Sequence, residues 1–352
     1  MKILILGSAS SIHTTNWVQQ LSTFQNVEIK LLSCHPITQK FPYSVHVKML
    51  KYKPGIGYIL NLIEVLYEIK NFSPDYLHSL YATGYGLLGT LCFFKSFLIS
   101  VWGSDVLIFP EKSVIHKYFL KSILNRAISI GSTSICMRKK LMELEVKNDI
   151  YLTPFGIDID KFCNANNRSN EVITIGTIKS LERVYGIDIM IKAFPQIKKM
   201  TTKSIRVLIY GNGSDIYYLK SLTKQLELTN EIHFMGAVAH ENVPEILNSL
   251  NIFFSMSRSE SFGVSTLEAS ACGLPVIVSD ACGMLEVVDD NITGFIIKNN
   301  SQSSLIDKFI TLIEDEKLRK KMGNAGRDFV IKNFESVRLK NNIYNFYHRF
   351  DV

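Results

Sequence analysis

Short apolar runs alternate with helix-compatible stretches along this chain of 352 residues, and that alternation limits the possible folds more than any other feature. The first run, residues 2–6, is unalternated, which is typical of a parallel strand covered on both faces. Further strands are predicted at 27–33, 76–79 and 97–101, and helices at 15–24, 56–72 and 114–130. The pattern predicts a doubly wound α/β domain.

The same rhythm restarts after a polar stretch, Asn164–Asn170, which we interpret as a linker. A single hydrophobic core rarely serves 352 residues, so two domains are expected. We predict one Rossmann-like domain at 1–165, a second at 171–330, and a closing helix at 331–352 that packs across both. In such sheets the carboxyl ends of the strands face the ligand cleft.

The segment from Glu260 to Glu268 lies between a predicted strand at 251–255 and a helix that begins at Val264. Backbone N–H groups at a helix N-terminus form a ready site for phosphate. The two carboxylates flank that site, and carboxylates accept paired hydrogen bonds from sugar and ribose hydroxyls. The residues alone leave open a second interpretation, in which both are solvated surface glutamates.

A family resemblance adds to this segment. The run SRSESFGVSTLEASACGLPVI at 257–277 resembles the signature of retaining glycosyltransferase family 4, whose members have the GT-B fold. Weaker matches extend along the chain: TPFGID at 153–158, YGID at 185–188, YGNG at 210–213, HFMG at 233–236 and GMLEVV at 283–288. The resemblance implies two Rossmann-like domains facing a central cleft, with a C-terminal helix that crosses back.

The resemblance also implies roles for individual residues. Glu268 would hold the ribose of a nucleotide, and Glu260 would contact the transferred sugar as a catalytic residue. Backbone groups and small residues would surround the donor at Ser8, Gly211, Gly213, Gly236, Phe262, Gly263 and Val264. For the glycines, a tight turn after each strand is the alternative.

The loop at 177–186 departs from the family, which usually has an Arg after the first strand of this domain and a Lys just before the helix. Thr177 and Tyr185 occupy those positions here. A leaving nucleoside diphosphate gains charge in the transition state, so cations are needed near it. We therefore predict that Lys179 and Arg183 supply the charge; the alternative is a solvated loop.

In the first half, Trp102-Gly-Ser-Asp105 follows a predicted strand. Trp102 would stack on an acceptor sugar, Asp105 would bind hydroxyls in a catalytic or acceptor-binding role, and Ser10 would line the acceptor site. The alternative is a packed Trp102 with Asp105 capping the next helix.

The formal net charge is +7, and residues 1–160 hold 16 Lys+Arg against 11 Asp+Glu. A basic, partly aromatic helix at 112–126 suggests peripheral contact with an anionic membrane; an ordinary amphipathic helix is the alternative. The apolar run at 3–6 is too short for a signal segment, and the one at 85–102 is interrupted by Lys95. We expect a cytoplasmic protein. If the helix at 112–126 contacts a membrane, the protein would be in peripheral contact with the inner face of the cell membrane.

Taken together, the residues and the resemblance predict an enzyme. It would move a hexosyl or N-acetylhexosaminyl group, with retention, from a nucleoside-diphosphate sugar, with UDP preferred. The acceptor would be a saccharide or a saccharide linked to a polyprenyl diphosphate, with the lipid-linked form preferred. The expected setting is bacterial O-antigen, lipopolysaccharide or capsule synthesis. No cofactor and no nucleic-acid partner are expected. No metal is expected either, since no Cys-x-x-Cys pair or zinc-spaced cluster occurs in the sequence.

Three alternatives remain open at this point. A Rossmann-type dehydrogenase fits tandem α/β domains, although the Gly-x-Gly-x-x-Gly fingerprint is absent after the first strand. A sugar-nucleotide epimerase of the same architecture would isomerise the donor without an acceptor. A non-catalytic nucleotide-sugar-binding subunit is left open by the unusual cation loop.

Overall fold

A computed structural model describes residues 1–165, 168, 171–298 and 301–348. The chain divides into two compact units, one formed by Met1–Phe155 with Val337–Val352 and the other by Gly156–Ser336. Four residues of the predicted linker, at 166–167 and 169–170, lie outside the described residues.

The first unit contains a seven-stranded sheet in which every neighbouring pair is parallel, in the order β3-β2-β1-β4-β5-β6-β7. Its strands are β1 Lys2–Leu6, β2 Glu28–Ser33, β3 Val45–Met49, β4 Tyr76–Leu80, β5 Phe97–Val101, β6 Ser129–Ser132 and β7 Asp149–Leu152. Its helices are α1 Ile12–Leu21, α2 Gly57–Leu60, α3 Leu62–Phe72, α4 Tyr85–Leu91, α5 Ser104–Leu107, α6 Val114–Leu124 and α7 Ile135–Glu143.

The second unit contains a six-stranded parallel sheet in the order β10-β9-β8-β11-β12-β13. Its strands are β8 Val172–Ile178, β9 Ser204–Tyr210, β10 Ile232–Gly236, β11 Ile252–Ser255, β12 Val276–Ser279 and β13 Gly294–Ile297. Its helices are α8 Ile187–Met200, α9 Ile216–Gln225, α10 Val243–Asn248, α11 Val264–Ala271, α12 Gln302–Glu314 and α13 Glu316–Phe334.

The last helix, α14 (Ser336–His348), returns the chain to the first unit. Phe346 and Tyr347 are fully buried there, in a cluster that also contains Trp17 and Ile3 and Ile5 of β1. The predicted start of the closing helix, 331, falls inside α13; the new helix begins at Ser336. The α14 segment is therefore part of the core of the first unit.

Two predicted helices are shorter than their sequence patterns. The pattern at 56–72 is split into α2 and α3 at Asn61, whose side-chain amide exchanges hydrogen bonds with the backbone of Tyr52. The pattern at 114–130 ends as a helix at Leu124, because Ile128 already donates to Phe97 and the chain then enters β6. In both cases contacts distant in sequence override the local periodicity.

Candidate functional site: the start of helix α11

The loop between β11 and α11 is held in shape by close backbone contacts. Gly263 has φ +92° and precedes α11, and an added Cβ would lie 3.0 Å from Met284 Sδ. Gly283 donates its N–H to the carbonyl of Glu260 at 3.0 Å, and a Cβ on Gly283 would lie 2.4 Å from Ser261. The short helix at Cys282–Glu286 therefore supports the loop that carries Glu260.

Glu260 is paired with a cation. Lys179 Nζ donates to Glu260 Oε2 at 2.6 Å, and both side chains are 11 % exposed. Ser257 Oγ donates to the same oxygen at 3.1 Å. Lys179 directly follows β8 and Glu260 follows β11, and these two strands are neighbours in the sheet, so their carboxyl ends bring the pair together. The Lys179 ammonium also lies over the Tyr185 ring, at 5.1 Å from its centre.

Arg183 was predicted to supply positive charge together with Lys179, but the two side chains have different partners. Arg183 is mainly exposed, lies 3.6 Å from Asp188 and stacks over the Tyr218 ring. Arg258 binds both oxygens of Asp188 at 2.9 Å. Burial raises the pKa of Asp188, but Arg258 and Lys192 outweigh it and hold the pKa below its usual range.

Glu268 lies in the second turn of α11 and is nearly buried. His240 Nε2 lies 2.8 Å from Glu268 Oε1, and Lys161 Nζ lies 3.1 Å from His240 Nδ1. An ammonium group can donate and cannot accept, so Nδ1 must be the acceptor and Nε2 carries the hydrogen that is donated to Glu268. The three residues form one directed chain of hydrogen bonds that ends at the Glu268 carboxylate.

The predicted donor-site glycines have two different environments. Gly211 has φ +138°, and a Cβ on it would lie 1.8 Å from the carbonyl oxygen of Lys179; for Gly213 the corresponding atom is the Leu181 carbonyl oxygen at 2.4 Å. These two glycines allow the β9–α9 loop to approach the β8–α8 loop, so the chain itself requires them. Gly236 has φ +80° and open space around its Cβ position, and its carbonyl accepts the Gly211 N–H.

In the first unit, Asp105 is almost fully buried and accepts three backbone N–H bonds. Ala82 donates at 2.9 Å, Gly103 at 2.8 Å and Trp102 at 3.3 Å. Burial raises the pKa of this carboxyl, although the backbone donors act in the opposite direction. Asp105 lies in the first turn of α5, whose N-cap is Gly103, and its carboxylate joins the loops after β4 and β5. A direct ligand contact of Asp105 stays a prediction.

The remaining first-unit residues lie in the loops after β1 and β5. Ser8 and Ser10, whose hydroxyls are 2.9 Å apart, lie between β1 and α1. Trp102 packs edge-on against His13 and Phe155, with ring centres 6.0 Å and 5.7 Å away. Ser8, Ser10 and Trp102 are partly exposed, so their predicted ligand contacts remain predictions.

Sequence reasoning did not single out Arg258, Ser257, His240 or Lys161 as parts of this site. Arg258 and Ser257 stand inside the quoted signature run, so their position was visible but their partners were not. Lys161 and His240 are 79 positions apart, and only the folded unit brings them to Glu268. Among the described residues, no group of three or more His, Cys, Asp or Glu side chains is arranged to hold a metal ion.

Comparison with known proteins gives the class of this chain. Residues 158–329 match the family model described as glycosyl transferases group 1, and residues 2–134 match the model described as glycosyl transferase 4-like. An uncharacterized glycosyltransferase of Methanocaldococcus jannaschii is 26 % identical over 326 residues, covering 91 % of this chain and 88 % of its own.

Solved structures agree over the whole chain. A sucrose-phosphate synthase from Thermosynechococcus elongatus superposes with a TM-score of 0.86 at 18 % identity, covering 99 % of each chain. HepE from Anabaena in complex with UDP-glucose gives 0.82 at 17 % identity, covering 99 % of this chain and 100 % of that one. The predicted GT-B fold is confirmed, and the chain is a glycosyltransferase with that fold. Within the described residues, no helix is long and apolar enough to cross a membrane.

Proposed function

We propose that this glycosyltransferase moves a hexosyl or N-acetylhexosaminyl group from a UDP-sugar to a saccharide acceptor on a lipid carrier, with retention and without a metal ion. The observation that carries the proposal is the Lys179–Glu260 pair beside the start of α11. UDP is preferred because HepE, a structural neighbour, was solved with UDP-glucose. A surface polysaccharide such as O-antigen or capsule is the proposed product.

The proposed donor site lies in the second domain, 171–330. The diphosphate would sit at the N–H groups of Gly263 and Val264, where the helix dipole favours an anion. Glu268 would accept the ribose hydroxyls, and Glu260 would accept hydroxyls of the transferred sugar. Phe262, Gly211, Gly213 and Gly236 would complete the donor site in this domain, and the donor contact of Ser8 in the first domain stays a prediction.

In the proposed reaction, Lys179 supplies positive charge to the leaving diphosphate. As the sugar–phosphate bond breaks, negative charge grows on the leaving oxygen, and a pre-placed ammonium stabilises it without reorganisation. The acceptor hydroxyl would attack the anomeric carbon from the same face that the diphosphate leaves, so the new glycosidic bond forms with retention, and the departing phosphate oxygen would take the hydroxyl proton. Arg183 lies against Asp188, so its part in this step would be to support the loop together with Arg258.

The acceptor would be bound by the first domain, 1–165. Trp102 offers a partly exposed ring for a sugar face, and Ser10 offers a hydroxyl nearby in the β1–α1 loop. Asp105 would act by holding the Trp102–Gly103 backbone in place. Peripheral attachment to the cytoplasmic face of the membrane would bring a lipid-linked acceptor to this domain.

A nucleotide-sugar panel tests the proposal. UDP-, GDP-, ADP- and dTDP-sugars are compared by the shift in melting temperature, since a ligand that binds the folded state raises it. UDP-sugars should give the largest shift, with EDTA causing no loss. Conversion of the donor to its epimer without acceptor would replace the proposal by an epimerase, and a response to nicotinamide cofactors alone would indicate a dehydrogenase.

A further inference from the structure

One side of the first unit's sheet is covered by helices with unusually exposed apolar side chains. Their inner sides pack into the core through residues such as Val65, Leu88 and Leu120. Their outer sides carry Ile56, Ile63 and Tyr67 on the α2–α3 segment and Val114, Ile115 and Tyr118 on α6. Ile63 is 81 % exposed and Ile115 is 79 % exposed. We call these six side chains the outer apolar face.

The two groups belong to one helical layer. The ring of Tyr58 in α2 packs edge-on against Tyr85 of α4 at 5.2 Å. In the same helix α4, Gly86 lies so close to α6 that an added Cβ would be 3.2 Å from Ile123. Helix α4 therefore joins α2 to α6, and Phe93, which closely follows α4, is 75 % exposed.

The charges around the outer apolar face are mainly positive. The segments 51–72 and 109–126 contain seven Lys and Arg residues and three Glu residues. All three glutamates already have partners outside these segments: Glu64 and Glu68 pair with Lys48, and Glu111 pairs with Lys140. Lys121 is itself paired with Glu145 at 2.7 Å, whereas Lys53, Lys112 and Lys117 are exposed side chains that can face a partner.

Lysines beside exposed isoleucine and tyrosine suit an anionic bilayer. Apolar and aromatic side chains enter the headgroup region, while long basic side chains reach lipid phosphates. A second copy of the chain is a poor occupant, because basic residues on one copy would then meet basic residues on the other. Water-soluble monomers rarely leave an extended apolar surface without a binding role.

We propose that the outer apolar face docks on an anionic membrane surface, with Ile63, Ile115 and Tyr118 entering the headgroup region. Lys53, Lys112 and Lys117 would contact lipid phosphates. The docking surface then comprises α2–α3 as well as α6, which is wider than the single basic helix visible in the sequence. This docking surface rests on the peripheral membrane attachment proposed above and does not require the transfer reaction.

Vesicle co-sedimentation tests the proposal without donor or acceptor. Vesicles of equal parts phosphatidylglycerol and phosphatidylcholine should bind the full chain at low salt, and pure phosphatidylcholine should bind it much more weakly. The double variant Ile115→Glu with Tyr118→Glu, and separately Ile63→Glu, should lower binding about tenfold or more, because a charge must then enter the headgroup boundary.

The matched control is Ile292→Glu with Tyr217→Glu, two exposed side chains of the same types in the second unit. This control should bind like wild type, and all variants should keep the wild-type melting temperature. Equal binding by the Ile115/Tyr118 variant and the control would overturn the proposal. The proposal would also be overturned if the wild type failed to sediment with vesicles and instead formed a concentration-dependent dimer that the same substitutions abolish.

Discussion

At the residue scale, the orientation of Glu268 depends on two side chains that lie outside the recognised signature. Lys161 donates to His240, and His240 donates to Glu268. A carboxylate with one oxygen fixed in this way presents its other oxygen in a defined direction. His240 is therefore expected to act as a positioning residue for the nucleotide, through Glu268.

Replacing His240 by alanine should weaken UDP binding about tenfold, since a hydrogen bond to a charged, largely buried group contributes about 1.5 kcal/mol. Turnover at saturating donor should change much less, because Glu268 is proposed to bind and not to react. Calorimetric titration with UDP measures the affinity, with His46→Ala, an exposed histidine of β3, as control. Wild-type affinity in the His240 variant would exclude the positioning role.

At the scale of elements, α11 is held at its C-terminal end by groups that are distant in sequence. The backbone carbonyl of Cys272 accepts a hydrogen bond from Arg168, and that of Ala271 accepts one from Arg327. Positive charge at a helix C-terminus is favourable, and the fixed end keeps the N-terminal N–H groups in place. A short eight-residue helix that carries Glu268 is thereby stabilised by tertiary contacts.

Helix α14 is held by a buried polar group. His78 Nδ1 lies 2.6 Å from the Tyr347 hydroxyl, its Nε2 lies 2.9 Å from Ser100, and Trp17 donates to the same Tyr347 oxygen. Complete burial lowers the pKa of His78 to about 3. The imidazole is thus neutral in the folded protein in the range just below pH 6.5, where an exposed histidine takes up a proton.

This histidine makes stability depend on pH. Its folded pKa lies below its unfolded value of 6.5, so the unfolded chain binds the proton more readily. The free energy of unfolding should therefore fall as pH drops below 6.5, by up to about 1.4 kcal/mol per pH unit from this one group. The loss should be complete near the folded pKa.

Urea unfolding between pH 7 and 5 measures this dependence. The His78→Gln variant keeps a hydrogen-bonding side chain without a titrating imidazole, so its stability should decline less steeply than that of wild type. Other titrating groups contribute to both proteins and cancel in the difference. Parallel slopes for the two proteins would show that His78 does not carry the effect.

At the scale of the whole molecule, the sequence predicted more of the architecture than of the site. Unalternated apolar runs predicted parallel strands in both halves, because strands covered on both faces need apolar residues throughout. Strand β3 was not predicted, since Val45–Met49 is a half-exposed edge strand with His46 and Lys48 in it. The pairing of charged side chains was the least predictable feature: Arg183 pairs with Asp188, while Lys179 pairs with Glu260.

The reason is physical. Periodicity reports which face of an element is buried, but side-chain pairing depends on which strands become neighbours. Strand β8 lies beside β11 across 73 intervening residues, and only that topology brings Lys179 to Glu260. Gly211 and Gly213 are a second case in which the sequence does not show the contact partner: in the fold they lie close to the backbone of the β8–α8 loop.

Lys179 is proposed to stabilise a departing nucleoside diphosphate beside Glu260. Steady-state transfer by Lys179→Met, with a UDP-sugar donor, tests this role most directly, and Lys198→Ala on α8 serves as control. Loss of one pre-placed charge in such a site lowers kcat about 10²- to 10³-fold. We expect this loss of kcat together with a near-normal Kd for UDP and partial recovery in Lys179→Arg. A kcat within about twofold of wild type would contradict the proposed role of Lys179.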